Sequence, residues 1–350
     1  LAALDGSSGA GPRIPVVLGG CGSGRTSLLL RLRDLIGRSQ SQYVDVERIA
    51  TTPERFLQAL RESAPFPAHA YGQPSEPGAR DAFDAALAFL DTARAPGTAP
   101  ATFLLDEFLE LRTFESFPGL RTVLRDLIGV LASSGNRFVL TSRYVARAHR
   151  LLRDAPARFE IIHVAPLSAA EVRATLPGTH DDHHVRGSND AEDEVEQQRD
   201  DLARLVQVLS GGRPSYARAI AEAATAIASR GGADPVSALA SLLAPGGYLA
   251  QYCRFCYELR LHRARGYGAL KAILEVLAQE EPLTLTEIAQ RLRRTPGSTK
   301  DYLSWLEDVD LIVSRQKRYS FDVPLRRGWL RLHCRPVPPR ADDLACELHA

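Results

Sequence analysis

The chain has 350 residues, with 43 Lys and Arg against 42 Asp and Glu and a formal charge of +1. That balance excludes a polybasic or uniformly acidic protein, and 45% hydrophobic with 24% charged residues excludes wholesale disorder. No apolar run reaches the ~18 residues of a membrane span, no signal-peptide pattern is present, and five scattered Cys make no secreted disulfide framework, so a cytoplasmic protein of two or three domains is expected.

In chain order, residues 1–13 are rich in Gly, Ser and Pro and read as a flexible terminus. The absence of Met fits a chain begun at another start codon or within a longer protein. Ile14 to Leu18 is a short apolar run ending at Gly19-Gly20, as a buried strand would be. Ser27 to Ile36 has helical spacing, and Tyr43 to Val46 reads as a second strand. Thr52-Pro53 opens a helix with an N-cap and Pro in its first turn. A Pro/Gly loop over 65–80 precedes an Ala-rich helix near 80–93. Ala101 to Asp106 is another buried strand, followed by a helix from Leu120 to Leu131. Strands from Arg137 to Ser142 and from Arg158 to Val164 complete the series. Alternating strands and helices mean a parallel sheet, so an α/β core is expected over 14–166.

After Pro166 the grammar changes. Ser168 to Glu171 is a capping box, and residues 179–201 form a polar stretch with nine acidic residues against two Arg. The segment His180-Asp181-Asp182-His183-His184 within it reads as solvated loop rather than as a metal site. From 202 to 265 the pattern is helical, so a helical lid domain is expected over 167–265, with the acidic stretch as an insertion. Cys253 and Cys256 have zinc-ligand spacing but no second pair, and read as buried thiols in a helix.

The stretch from 266 to 335 is organised differently. Leu270, Ile273, Leu274 and Leu277 share a helix face, Thr284 to Glu287 is a second capping box, and Thr295-Pro296-Gly297-Ser298 reads as a turn. A third helix carries Tyr302, Leu303 and Leu306, and two short strands flank Arg315-Gln316-Lys317. Helix, helix, turn, helix and hairpin is the order of a winged helix-turn-helix. From 252 to 340 there are 17 Lys and Arg against 10 Asp and Glu. The basic hairpin suits DNA phosphates; the acids Glu307, Asp308 and Asp310 on the third helix suit docking on protein instead. Trp305 and Trp329 read as core, and 336–350 as a tail.

Three strand ends carry chemistry. Gly19, Gly20, Cys21, Gly22, Ser23, Gly24, Arg25, Thr26 and Ser27 fit Gly-x4-Gly-[basic]-[Ser/Thr] between an apolar strand and a helix. Glycines let several N–H groups turn toward one anion, and the helix N-terminus adds its dipole. Thr26 is placed to hold Mg2+ through its hydroxyl, and the basic side chain to reach the β- and γ-phosphates. That side chain is Arg25, bulkier and planar where Lys is a point charge, so phosphate binding is expected and efficient hydrolysis is not. Asp106 and Glu107 end a strand too buried to hold acids internally. Asp106 is placed for Mg2+, Glu107 for the attacking water, and Arg143 at the next strand end for the γ-phosphate.

Together these motifs resemble the AAA+-related P-loop ATPases, most closely the STAND branch with its archaeal-type ATPases. The phosphate loop is similar to Walker A, Leu104 to Phe108 to Walker B with a catalytic Glu, and Thr141-Ser142-Arg143 to the sensor strand. Ser210 to Pro214 resembles the Gly-x-Pro motif of the helical lid, which implies that Gly212 and Pro214 lie near the base and ribose. The resemblance implies ATP and Mg2+ as ligands, a P-loop NTPase sheet followed by an α-helical lid and a winged helix domain, and a nucleotide-dependent switch with a protein partner or self-assembly. A scaffold that binds nucleotide without hydrolysis and an ATP-dependent DNA-binding regulator remain the alternatives.

Overall fold

The computed structural model describes residues 12–67, 78–176, 189–228, 234–262, 264, 266–334 and 344. Two compact units emerge: residues 1–20 with 24–164, and residues 21–23 with 165–350.

In the first unit, β1 (Ile14–Leu18), β2 (Ser41–Asp45), β3 (Thr102–Asp106), β4 (Arg137–Ser142) and β5 (Phe159–His163) pair in the order β2-β3-β4-β1-β5. Every pairing is parallel, as the alternating pattern implies. β1 and β3 are buried at each position, which is what strands covered on both faces require. α1 (Arg25–Ile36) lies on one face, where Leu29 packs with Val17, Leu104 and Val139. Adjacent residues on a strand face opposite ways, so Phe103 serves the other face. There it stacks on Phe138 with centroids 5.7 Å apart and meets the edges of Phe66 and Phe89.

Between strands run α2 (Val46–Ile49), α3 (Pro53–Glu62), α4 (Ala79–Thr92), α5 (Val123–Ser133) and α6 (Val145–Leu152). Thr52 caps α3 with Pro53 in its first turn. The second strand stops at Asp45 rather than Val46, because Asp45 accepts the Arg48 N–H and starts α2. The helix expected from Leu120 begins at Val123, after a turn closed by the Leu120 N–H on Phe117 O. A 3-10 segment, Phe108–Ser116, follows β3 and buries Phe108, Leu109, Leu111 and Phe114.

The second unit begins with α7 (Ala169–Ala174), whose capping box joins Ser168 and Glu171. α8 (Asn189–Ser210), α9 (Pro214–Ala228), α10 (Pro235–Leu243) and α11 (Tyr248–His262) follow. The acidic stretch is helical from Asn189 onward, and Asp193, Glu194 and Glu196 are exposed there; the segment from His180 to His184 lies outside the described residues.

α12 (Tyr267–Gln279), β6 (Leu283–Thr284), α13 (Leu285–Arg291), α14 (Pro296–Asp308), β7 (Ile312–Arg315) and β8 (Arg318–Phe321) succeed one another in the expected order of helices and hairpin. β8 pairs antiparallel with both β6 and β7. Thr295-Pro296-Gly297-Ser298 is the first turn of α14 and not the loop before it. Thr295 accepts the Ser298 N–H and Pro296 needs no donor there, so the residues that looked like a turn are a cap. Trp329, on α15 (Pro324–His333), is buried against Tyr257, whereas Trp305 is only half-buried.

Candidate nucleotide site

The loop after β1 needs glycine in two places, since Gly22 and Gly24 have φ of 79° and 85°. Gly24 is the N-cap of α1, so the first free N–H groups of that helix open onto the loop. Leu29 is held in the core one turn later, which fixes where Arg25 and Thr26 emerge.

Thr26 Oγ1 donates to Asp106 Oδ2 at 2.7 Å. Tyr43 donates its hydroxyl to the same oxygen at 2.9 Å, and Thr141 Oγ1 donates to Asp106 Oδ1. The carboxylate thus ends β3 under three hydroxyls. Burial, then the charge of Asp106, pushes the Tyr43 phenol above its ordinary range, so it remains a donor.

Glu107 has φ 57° and ψ 46°, a left-handed conformation that is uncommon for a residue with a side chain. Its N–H donates to Thr141 Oγ1 at 3.1 Å. Its carboxylate takes Arg25 Nη2 at 2.5 Å, the Arg143 N–H at 2.9 Å and the Arg143 guanidinium at 3.2 Å. Arg143 also pairs with Glu47, at the start of α2. Arg25 turns its other nitrogen to Gly20 O at 2.7 Å. Arg25, Arg143 and Glu107 are each less than 9% exposed, so these pairs are desolvated and removal of one partner is costly.

Strand order explains the meeting. β4 lies between β1 and β3, so Thr141 and Arg143 stand between the phosphate loop and the two acids. Gly19, Gly20, Gly24, Arg25, Thr26, Ser27, Asp106, Glu107 and Arg143 therefore collect at the carboxyl end of one sheet, where open α/β sheets present ligand sites.

Cys21, Gly22 and Ser23 group with the second unit. There Arg213 donates to Cys21 O at 3.0 Å, and Ser215 Oγ to Gly22 O at 2.9 Å. A Cβ at Gly22 would lie 2.6 Å from Ser215 Oγ and 3.2 Å from Tyr216 Cε1, at a φ of 79° that favours glycine, so a side chain there would crowd the start of α9. Gly212 is equally constrained, with a Cβ only 2.6 Å from Leu167 O. Pro214, two residues on, opens α9.

The fold is that of the P-loop NTPases. The Walker-type ATPase of Pyrococcus abyssi aligns with a TM-score of 0.63 at 16% identity, covering 91% of each chain. The Aeropyrum pernix ORC1 protein, solved in complex with DNA, aligns at 0.44 and 16% identity over 95% of this chain and 90% of its own. The Thermotoga maritima RuvB Holliday junction branch migration motor aligns at 0.43 and 11% identity over 91% and 88%. No protein-family profile and no curated sequence matches the chain. At these identities the likeness is one of fold.

Tyr43, Glu47 and Ser215 escape a reading by motif, as does the bond that Arg213, within the Gly-x-Pro motif, makes to Cys21 O. Register could have found Tyr43: it stands opposite Leu104, and Asp106 is the diagonal neighbour on the same face. Cys253 and Cys256 are free and buried. Among the described residues no His, Cys, Asp and Glu group has metal-holding geometry, and no helix is long and apolar enough to cross a membrane.

Proposed function

We propose that the chain is an ATP-binding, AAA+-related P-loop ATPase of the STAND-like kind, a nucleotide-dependent switch with slow hydrolysis. The observation that carries this reading is the 2.7 Å bond between Thr26 and Asp106, beside the Arg25–Glu107 ion pair. A hydroxyl and a carboxylate that share a proton are hard oxygen donors, the set that suits Mg2+. Thr26 and Asp106 would hold that ion, which neutralises phosphate charge when bound. Backbone N–H groups of the loop receive the phosphates, and Arg25 and Arg143 balance the charge that develops on them.

Glu107 is the base for the attacking water. Its carboxylate is engaged by two guanidiniums and a backbone N–H, so proton abstraction requires it to part from them first. This supports slow turnover. It also couples nucleotide arrival to Glu107: an anionic phosphate competes for the cations that Glu107 holds.

Calorimetry and turnover with Mg-ATP test the reading. Wild type binds and hydrolyses slowly, Glu107→Gln binds without turnover, and Arg25→Lys turns over faster. Absence of binding removes the proposal. Binding with no turnover in any variant leaves a nucleotide-binding scaffold. Unchanged turnover in Glu107→Gln removes Glu107 as the base.

We read residues 266–335 as a winged helix-turn-helix whose first use is docking on protein. A second reading, DNA binding, is favoured by Arg293, Arg294, Lys300, Arg315, Lys317 and Arg318, all exposed. They lie before α14, in its first turns and on the hairpin, where phosphate contacts are made in such modules.

A further inference from the structure

The proposed ATPase makes no use of a cluster of thiols around α11. Cys253, Cys256 and Arg260 recur at i, i+3 and i+7, so one face of that helix carries two thiols and a guanidinium. All three are at most 2% exposed. Cys21, from the glycine-rich loop, is 6% exposed and meets them: its side chain hydrogen bonds with Cys256, and Arg260 Nη2 donates to its sulfur at 3.6 Å. Arg260 also donates to Asp310 O, while its Nε is buried with no hydrogen-bond partner.

A wholly buried guanidinium is expensive unless it faces negative charge. Here it faces the Cys21 sulfur, and a guanidinium beside a cysteine is the setting that activates a thiol toward oxidants. We propose that Cys21 and Cys256 are an oxidative modification site, at which a hydroperoxide closes a disulfide between the phosphate loop and α11. Burial opposes the Arg260 charge, yet the surrounding thiols and Asp322 hold its pKa above the ordinary value, so it stays a cation. The bond with Cys21, then burial, raises the Cys256 thiol, so it keeps its proton. Burial pushes Cys253 up to about 12.

The chemistry follows from that division. The Cys21 sulfur, giving up its proton, attacks one peroxide oxygen and the O–O bond breaks. Cys21 becomes a sulfenic acid, and the leaving hydroxide (or alkoxide) takes a proton. The Cys256 sulfur then attacks the sulfenic sulfur; its proton leaves with the displaced hydroxide as water. Two thiols and one hydrogen peroxide give one disulfide and two waters, and a dithiol reductant reverses the change.

Fixing residue 21 to α11 removes the freedom with which the loop closes on an anion. Oxidised protein is therefore expected to lose Mg-ATP binding, a consequence that rests on the proposed nucleotide reading; the covalent change does not.

The test is stoichiometric hydrogen peroxide on the reduced full chain, followed by alkylation, intact mass and peptide mapping. The expected result is loss of two alkylatable thiols, a mass lower by about 2 Da, a linked peptide pair containing Cys21 and Cys256, and reversal by dithiothreitol. In Cys256→Ser the link is absent and Cys21 is trapped as sulfenic acid by dimedone; in Cys253→Ser the link persists. A link between Cys253 and Cys256, oxidation of Cys21 beyond sulfenic acid with no link, or five unchanged thiols each overturn the proposal. If reduced wild type binds no Mg-ATP while the link still forms, the nucleotide reading fails and this site stands.

Discussion

Asp106 accepts three hydroxyl hydrogens, and each donor comes from a different element: Thr26 from α1, Tyr43 from β2 and Thr141 from β4. Such a carboxylate is held against turning, the preorganisation that the proposed Mg2+ role requires. Tyr43→Phe removes one donor and keeps the ring. Since Tyr43 donates to a charged acceptor, the loss is expected to cost about 1–2 kcal/mol, read in urea unfolding. That the loop after β1 and the acids ending β3 meet in one candidate site was legible in the sequence, because such a site demands a spacing along the chain. Tyr43 and Glu47 were not, because nothing in the neighbourhood of a tyrosine or a glutamate says what stands across the sheet. The Arg25–Glu107 pair was hidden for a related reason. The motifs assign both residues roles toward ligand, and only the packed side chains place them on one another.

At the scale of elements, burial pattern was the reliable guide. Ile14 to Leu18, Thr102 to Asp106 and Arg137 to Ser142 are apolar runs too short for helices, and they are the middle of the sheet. Boundaries were less legible, because a cap and a turn use the same residues: Thr295 to Ser298 has turn composition and begins α14. One contact between elements has a pH signature. His149 on α6 and His163 on β5 stack with ring nitrogens 3.1 Å apart. Burial, then the neighbouring His163, lowers the His149 pKa. The folded state therefore prefers neutral His149. Its contribution is complete above the unfolded-state pKa of about 6.5 and is lost as pH falls through the lower folded-state value. Thermal melts from about pH 7 to 5 are expected to show a decline in Tm that is shallower in His149→Gln.

For the whole molecule, the charge of +1 says little about partners, because it cancels nine acids within 179–201 against a basic C-terminal region. The local field is what a polyanion meets. If Arg315 and Lys317 contact phosphates, Arg315→Glu with Lys317→Glu weakens DNA binding across sequences and lowers the slope of log K against log salt by about two. An unchanged slope leaves protein docking as the reading of the module.

The position of β2 carries a consequence of its own. It ends the row of strands, paired only to β3 within the described sheet, and yet its tyrosine fastens the carboxylate of the strand beside it. Edge strands are the first to fray, in excursions that cost far less than global unfolding. An opening of that kind would carry the phenol away and loosen Asp106 for its duration. The rigidity of the acid is thus borrowed from the margin of the sheet, and a partner that zipped onto that margin would steady it without touching it.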